Sequence, residues 1–433
     1  MADVLQAGVR RREVWAWAMY DFANSGYTTV VITAVFSAYF VGGVAGGAPW
    51  ATLAWTLGLS ASYAWVLFTM PFIGAWADRH AAKKRILMAT TLACVLTTAA
   101  LASVSPGQVA WALALLVLSN TFFTYGESVT AAFLPELAKP HAMGRVSGWG
   151  WGLGYVGGML TLGVCLAYVL SAQARGEGAA QFVPVTMLIT AAIYGLSACV
   201  TFVWLRERAA PVPASTIAAR PSVWAQLRLT WRDSRDFPDY RQLLVCTVAY
   251  QAGVAVAITL AAIYAEQVMG FEPQETMVLI FVLNIAAFGG ALAFGHLQDR
   301  WGHQRSLALT LLGWVVVCAV AALAQSKSVF WVAAALAGLC LGSSQSAGRA
   351  MAGLLVPEHR LAEFFGLWSM AVRLASILGP VGYGLVTWIT DGNQRLAIAA
   401  TAGLFVLGWF LLRPIDMARG QRCAQMAGSA KAQ

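Results

Sequence analysis

Four ionisable side chains, Asp21, Glu127, Arg349 and Arg373, stand well inside long apolar runs of the sequence. They are the residues best placed to do chemistry. One charge at the centre of a bilayer costs roughly 2.5–3.5 kcal/mol on insertion scales, so such groups line a cavity or pair with one another. Two acids and two bases sum to zero, as a mutually neutralised, water-accessible centre requires. The two arginines keep their protons and suit fixed roles, such as holding a substrate carboxylate or a protein acid. Glu127 is the better candidate for a titrating, proton-coupling group, because desolvation and a nearby guanidinium act on a carboxyl in opposite senses. Asp21 has two readings, a coupling residue or a structural partner for loop arginines such as Arg145.

Helical spacing extends each charge into a polar stripe. Asp21 shares a face with Ser25 and Thr28, and Glu127 with Asn120 and Thr124. Arg349 lies one turn from Gln345, and Arg373 lies between Ser369 and Ser376. The substrate-binding candidates are therefore Arg349, Arg373, Glu127, Asn120 and Gln345, with Asn24, Tyr155 and Gln251 added from neighbouring polar positions. Tyr250 and Asn284 are weaker candidates. Gly150, Gly154 and Gly158 stand four apart, so one face of their helix can approach another backbone closely. Trp149 and Trp151 read as anchors at the membrane interface.

The elements that must position these residues are membrane helices. Apolar residues make up 59% of the chain and charged residues 11%, against about 25% charged in ordinary soluble domains. The 433 residues give spans at 15–41, 51–76, 86–104, 108–134, 147–171, 184–205, 241–265, 276–298, 306–325, 329–356, 363–390 and 395–413. Each exceeds the ~10 residues of a barrel strand and lacks its in–out alternation. The expected fold is all-α and integral to the membrane, with twelve transmembrane helices in two pseudo-symmetric six-helix bundles. Bundles at 1–205 and 241–413 flank a linker at 206–240, and 414–433 is a tail. The linker carries Pro211, Pro213 and Pro221, then Trp224, Leu227 and Trp231 on one face, as in a short surface helix.

Numbered from the N-terminus, one side of the membrane holds Arg10, Arg11, Arg12, Lys83, Lys84, Arg85, Arg206, Arg208 and many more basic residues. The other side holds only Arg175, Lys327 and Arg395. The positive-inside rule then puts both termini and the linker in the cytoplasm, which accounts for most of the net charge of +9. Basic residues scattered over short loops do not make a nucleic-acid footprint. The first apolar run is too long for a signal-peptide core. Six of the seven cysteines fall inside spans without metal or redox spacing. No Gly-rich phosphate loop follows a strand, so no cofactor is expected and ATP is not the direct energy source.

The two halves repeat. Gly74 precedes Asp78-Arg79 by four residues, and Gly295 precedes Asp299-Arg300 by four; a basic cluster follows each pair. Leu134-Pro135-Glu136 matches Val356-Pro357-Glu358, and eight residues before each proline stand Glu127 and Arg349. Ser147-Gly148 and Phe365-Gly366 open matching helices, and seven residues on are Tyr155 and Arg373. Parallel repeats of this kind place a substrate site between the halves near the midplane, with access alternating from side to side. The doubled charged loop then reads as a conformational latch formed by Gly74, Asp78, Arg79, Gly295, Asp299 and Arg300.

Those loops resemble the joint between the second and third helices in each half of a major facilitator superfamily transporter. The chain is further similar to the autophagy-related vacuolar effluxer family. Tyr20-Asp21-Phe22-Ala23-Asn24-Ser25-Gly26-Tyr27, Leu134-Pro135-Glu136 and Gly144-Arg145-Val146-Ser147-Gly148-Trp149-Gly150-Trp151 carry that likeness. So do Ser344-Gln345-Ser346 with Arg349, Glu363-Phe364-Phe365-Gly366 and Ile377-Leu378-Gly379-Pro380. The resemblance implies a twelve-helix permease with the first, fourth, tenth and eleventh helices around a central cavity. Fungal members are regarded as releasing neutral amino acids from the vacuole. Two departures stand out. Tyr250-Gln251-Ala252-Gly253 replaces a Tyr-Asn-Asp-Gly run, and Thr130-Ala131 replaces a Tyr-Asn pair.

The expectation is a secondary active transporter, not an enzyme, moving a small polar or zwitterionic metabolite, amino acids among the leads, by alternating access. A proton or sodium gradient would drive it. The alternatives are a broad exporter of amphipathic compounds, a membrane-embedded lipid enzyme and a non-transporting sensor. The expected partners are a small-molecule substrate and the lipid bilayer, with no nucleic acid. The expected state is a monomer in a bacterial inner membrane.

Overall fold

The first membrane helix, Arg11–Val44, departs from α geometry twice, with π-helical turns at Thr28–Ala34 and Phe40–Val44. In the computed structural model, residues 5–139, 143–208, 223–357 and 361–429 are described. Among them are twelve helices long and apolar enough to cross a membrane, and no strand beyond an isolated bridge between Leu5 and Ala138. After the first come Ala51–His80, Lys83–Ala100, Val109–Ala131, Met143–Ala174 and Ala179–Trp204. The second six are Pro238–Met269, Pro273–Trp301, His303–Leu323, Lys327–Leu354, Leu361–Ile389 and Gln394–Leu412. Most run a few residues past the apolar limits read from sequence. Hydropathy marks only the lipid-facing length, whereas backbone hydrogen bonding carries a helix beyond it.

The chain divides into two compact units. One holds residues 1–220 together with Ala261–Phe281, and the other holds Pro221–Leu260 with Val282–Gln433. In the first unit Trp17, Tyr20 and Tyr27 of the first helix are buried. A methyl at Gly154 would sit 2.8 Å from Ser25 Oγ, and one at Gly157 would collide with the Phe22 carbonyl. The fifth helix therefore packs a glycine face directly on the first. The same unit brings Gln267, near the end of the seventh helix, within 3.0 Å of where a Cβ on Gly42 would be.

In the second unit the core is aromatic. Trp314 stacks on Phe405 with centroids 5.1 Å apart and the rings nearly parallel. Glycines again set the closest approaches. Gly338 and Gly342 press on the carbonyls of Leu283 and Ala287, and Gly290 on that of Leu339, so the eighth and tenth helices interlock from both sides. With no hydrophobic drive between helices in lipid, such close contact is a main source of cohesion.

The linker contains a helix at Val223–Asp233, with Leu229 and Trp231 exposed and Arg241 over the Trp231 ring at 5.0 Å. The side chains of Trp224 and Leu227 lie outside the described residues. The tail holds a helix the hydropathy pattern did not announce, Met417–Ser429.

At the end of each unit that carries the basic loops, an arginine following the sixth helix of its half meets a buried acid at the start of the first. Arg208 lies 2.7 Å from Glu13, and Arg419 lies 2.6 Å from Asp239. Around the first pair, Glu136 accepts from Lys83 Nζ at 3.0 Å and from the Arg208 amide at 3.1 Å. The Glu207 carboxylate accepts from the amides of Lys83 and Lys84 at 2.7 and 3.1 Å. It thereby caps a third helix whose own preceding residue, Ala82, has no side chain able to do so.

Candidate substrate and coupling site

Each unit builds its polar centre on a tyrosine seated over a glycine. A methyl added at Gly126 would collide with the Tyr20 hydroxyl, and one at Gly348 with that of Tyr250. The register fixes the next residues. Asp21 follows Tyr20 and Glu127 follows Gly126 in the first unit; Gln251 follows Tyr250 and Arg349 follows Gly348 in the second. Two crossings with the same close approach thus have Asp21 and Glu127 next in sequence to the contact in one half, and Gln251 and Arg349 next to it in the other.

The hydroxyls differ in their surroundings. Tyr20 shares hydrogen bonds with Thr91 at 2.9 Å and Tyr194 at 3.2 Å, joining the first, third and sixth helices. Tyr27 bonds Ser119 at 2.8 Å and stacks on Phe123 with centroids 4.8 Å apart. The Tyr250 hydroxyl is fully buried and lacks a hydrogen-bond partner among the described residues.

Asp21, Glu127, Arg349 and Arg373 are all half-buried, neither sealed in the core nor open to the outside. Asp21 is bounded by the glycine face, since a methyl at Gly150 would collide with its Oδ2. Ser25 and Thr29 continue that contact at Gly154 and Gly158, with added methyls 2.8 Å from Ser25 Oγ and 2.7 Å from Thr29 Oγ1. The sequence reading named Thr28; Thr29, four residues on from Ser25, makes the contact. Asn120 is fully buried and donates to Ser62 of the second helix at 2.5 Å. Asn24 is 6% exposed, and its carbonyl oxygen has no hydrogen-bond partner among the described residues. Tyr155 is half-buried beside Trp151, with ring centroids 6.3 Å apart.

In the second unit Gln251 donates to Gln345 at 3.0 Å, so two residues chosen separately from the sequence form one amide pair. On the eleventh helix Ser369 is exposed while Arg373 and Ser376 are half-buried. Asn284 is half-buried too. The missing seventh-helix acid also has a local account. Ala252 is 2% exposed, and its carbonyl presses on Gly379 of the eleventh helix, so its position is filled by helix packing.

Of the latch residues, Gly74 is half-buried, and a methyl there would meet nothing within 4 Å. The surroundings of Gly295 and the side chains of Asp78, Arg79, Asp299 and Arg300 lie outside the described residues, as does the side chain of Arg145. Three residues escaped the sequence reading. Ser62 and Gly126 carry no charge and announce themselves only by contact. Glu266 is half-buried in the last turn of the seventh helix, which ends at Met269, and lies one residue beyond the expected span.

No group of three or more His, Cys, Asp or Glu that could hold a metal occurs among the described residues. Outside the spans, hydrogen bonding to Asp239 holds the Arg419 guanidinium above its ordinary pKa, and Glu177 does the same for Arg175.

A family model described as "Vacuole effluxer Atg22 like" matches residues 52–425. The chain belongs to this family. It is 28% identical to the MFS-type transporter YxiO of Bacillus subtilis (strain 168), over 92% of this chain and 93% of that one. It is 24% identical to autophagy-related protein 22 of Yarrowia lipolytica, covering 72% of this chain and 57% of that longer protein. Among solved structures, a D-xylose-proton symporter superposes with a TM-score of 0.72 at 11% identity, covering 94% of this chain and 98% of that one. The nucleoside transporter NupG does so with a TM-score of 0.66 at 13% identity, covering 94% and 99%. The Atg22-like chain is thus a multi-pass membrane transporter of the major facilitator type, not an enzyme.

Proposed function

We propose that the chain moves a small polar or zwitterionic metabolite, amino acids among them, by alternating access. Arg349 or Arg373 meets a negative group, and Glu127 or Asp21 meets a positive group or a proton. The observation that carries this reading is the repeated tyrosine-on-glycine crossing, which gives Glu127 and Arg349 matching places in the two repeats. Gln251 and Gln345 add uncharged hydrogen-bonding capacity, and Asn24 supplies a further buried acceptor. The family description, an effluxer, favours export. The basic loops favour cytoplasmic termini, and a bacterial plasma membrane suits the bacterial relative. A monomer is sufficient for this mechanism. The two charged loops act as its latch.

A thermal-shift screen of the purified protein against amino acids and related zwitterions, beside an Arg349→Ala variant, tests the assignment. A ligand that stabilises the native protein and not the variant supports it. Stabilisation by amphipathic cations alone replaces it with a broad exporter. Proton coupling through Glu127 fails if transport by Glu127→Gln keeps its full dependence on a pH gradient.

A further inference from the structure

The tail helix is built into the second unit. Asp239, at the start of the seventh helix, is 1% exposed, and its carboxylate is held by tail residues. Arg419 donates through Nε at 2.8 Å to one oxygen and through Nη2 at 2.6 Å to the other. The Asp416 amide adds a third bond at 2.8 Å. Asp416 in turn accepts from the Arg419 amide at 3.0 Å, capping the tail helix it precedes.

Three further contacts fix the docking. A methyl at Gly420 would collide with Leu355, at the end of the tenth helix, and lie 3.2 Å from Asp239 Cβ. Met417, Cys423 and Ala427 pack on the aromatic core of the unit. Gln304, at the start of the ninth helix, donates to the carbonyls of Leu412 and Ile415 at 3.0 and 2.8 Å. Arg422, Gln425 and Met426 face outward.

We propose that the tail, Ile415 together with the helix Met417–Ser429, is a releasable strap that pins together the ends of the seventh, ninth, tenth and twelfth helices on the basic-loop side. A helix of 13 residues is marginal alone in water, so its order depends on docking. Lifting it would strand Asp239 without its counter-charge, which makes partial release costly and the strap an all-or-none element. The Arg419 side chain is 52% exposed, so solvent and competing anions can reach the pin from outside while the acid stays covered.

Two thiols read the strap without any substrate. Cys423 lies on its half-buried face, and a Ser306→Cys substitution reports on the fully buried start of the ninth helix. Both are probed with a membrane-impermeant maleimide in detergent, in a Cys199→Ser background, Cys199 being the exposed cysteine. Arg419→Ala is expected to speed labelling at both sites by about tenfold, the order of loss when a charged hydrogen-bonded partner is removed. Asp239→Asn should act in the same direction, and Arg419→Lys should restore most of the protection. Cys423 remaining protected in Arg419→Ala overturns the pin. Cys423 becoming reactive while position 306 stays protected overturns the strap, leaving a tail that holds nothing.

Discussion

Ala81 and Gly302 occupy the same place in the two halves, three residues after Asp78 and Asp299, and both have a positive φ, 47° in left-handed α geometry at Ala81 and 86° with an extended ψ of 147° at Gly302. Glycine enters that region freely, whereas an L residue with a Cβ is penalised by roughly 1–2 kcal/mol. Ala81→Gly should therefore stabilise the protein by about 1 kcal/mol, and Gly302→Ala should destabilise it by at least as much. Thermal unfolding in detergent measures both. Equal melting temperatures for wild type and Ala81→Gly would show that the turn relaxes in solution.

Gly126→Ala should cost about 1–3 kcal/mol, because the added methyl meets the Tyr20 hydroxyl within a filled core. Removing that hydroxyl should relieve the collision. Tyr20→Phe with Gly126→Ala is expected to be more stable than the sum of the single changes allows. Strict additivity in a double-mutant cycle would place the strain elsewhere.

Glu207→Gln keeps the shape of the cap over Lys83 and Lys84 but weakens its pull on the helix N-terminus. A loss of about 1 kcal/mol is expected. Hydrogen exchange should quicken at those two amides first. Unchanged exchange there would mean that water caps the helix equally well.

The tail pairing should be insensitive to pH over the physiological range from the arginine side. Asp239 raises the pKa of Arg419 in the fold above its ordinary value. The arginine's contribution is therefore fully present below that ordinary value and is lost only as pH climbs through the higher folded pKa. Cys423 labelling, corrected for thiolate fraction, should stay flat from about pH 6 to pH 10. A step within that window would point to another titrating group.

Gln251→Leu and Gln345→Leu each leave one amide unmatched, so each single change should cost more than half of the double change. Melting temperatures of the three variants decide it.

Much of the fold was legible because lipid imposes one rule on every span: long apolar runs with internally satisfied backbones. The charged stripes and the glycine face of the fifth helix were readable for the same reason, since polarity and small size are costly there without a use. What escaped depends on contact. Nothing local to Gln251 or Gln345 says that they touch. Gly126 looks like any glycine until Tyr20 lies over it. Thr28 and Thr29 both lie within helical reach of Asp21 and Ser25, and only the contact with Gly158 tells which one faces the glycines. The tail helix was missed because its apolar face is short and made of small residues, Gly420 and Ala424 among them.

The cap on the third helix also bears on how the protein is made. Glu207 lies 124 positions beyond the Lys83 amide that it holds. As the chain emerges in order, the third helix enters the bilayer with its first turn unsealed, and so it remains until the sixth helix has been synthesised. The first bundle therefore has a defined moment of completion, set by one carboxylate. A ribosome stalled just before that residue would carry six synthesised helices and an open end.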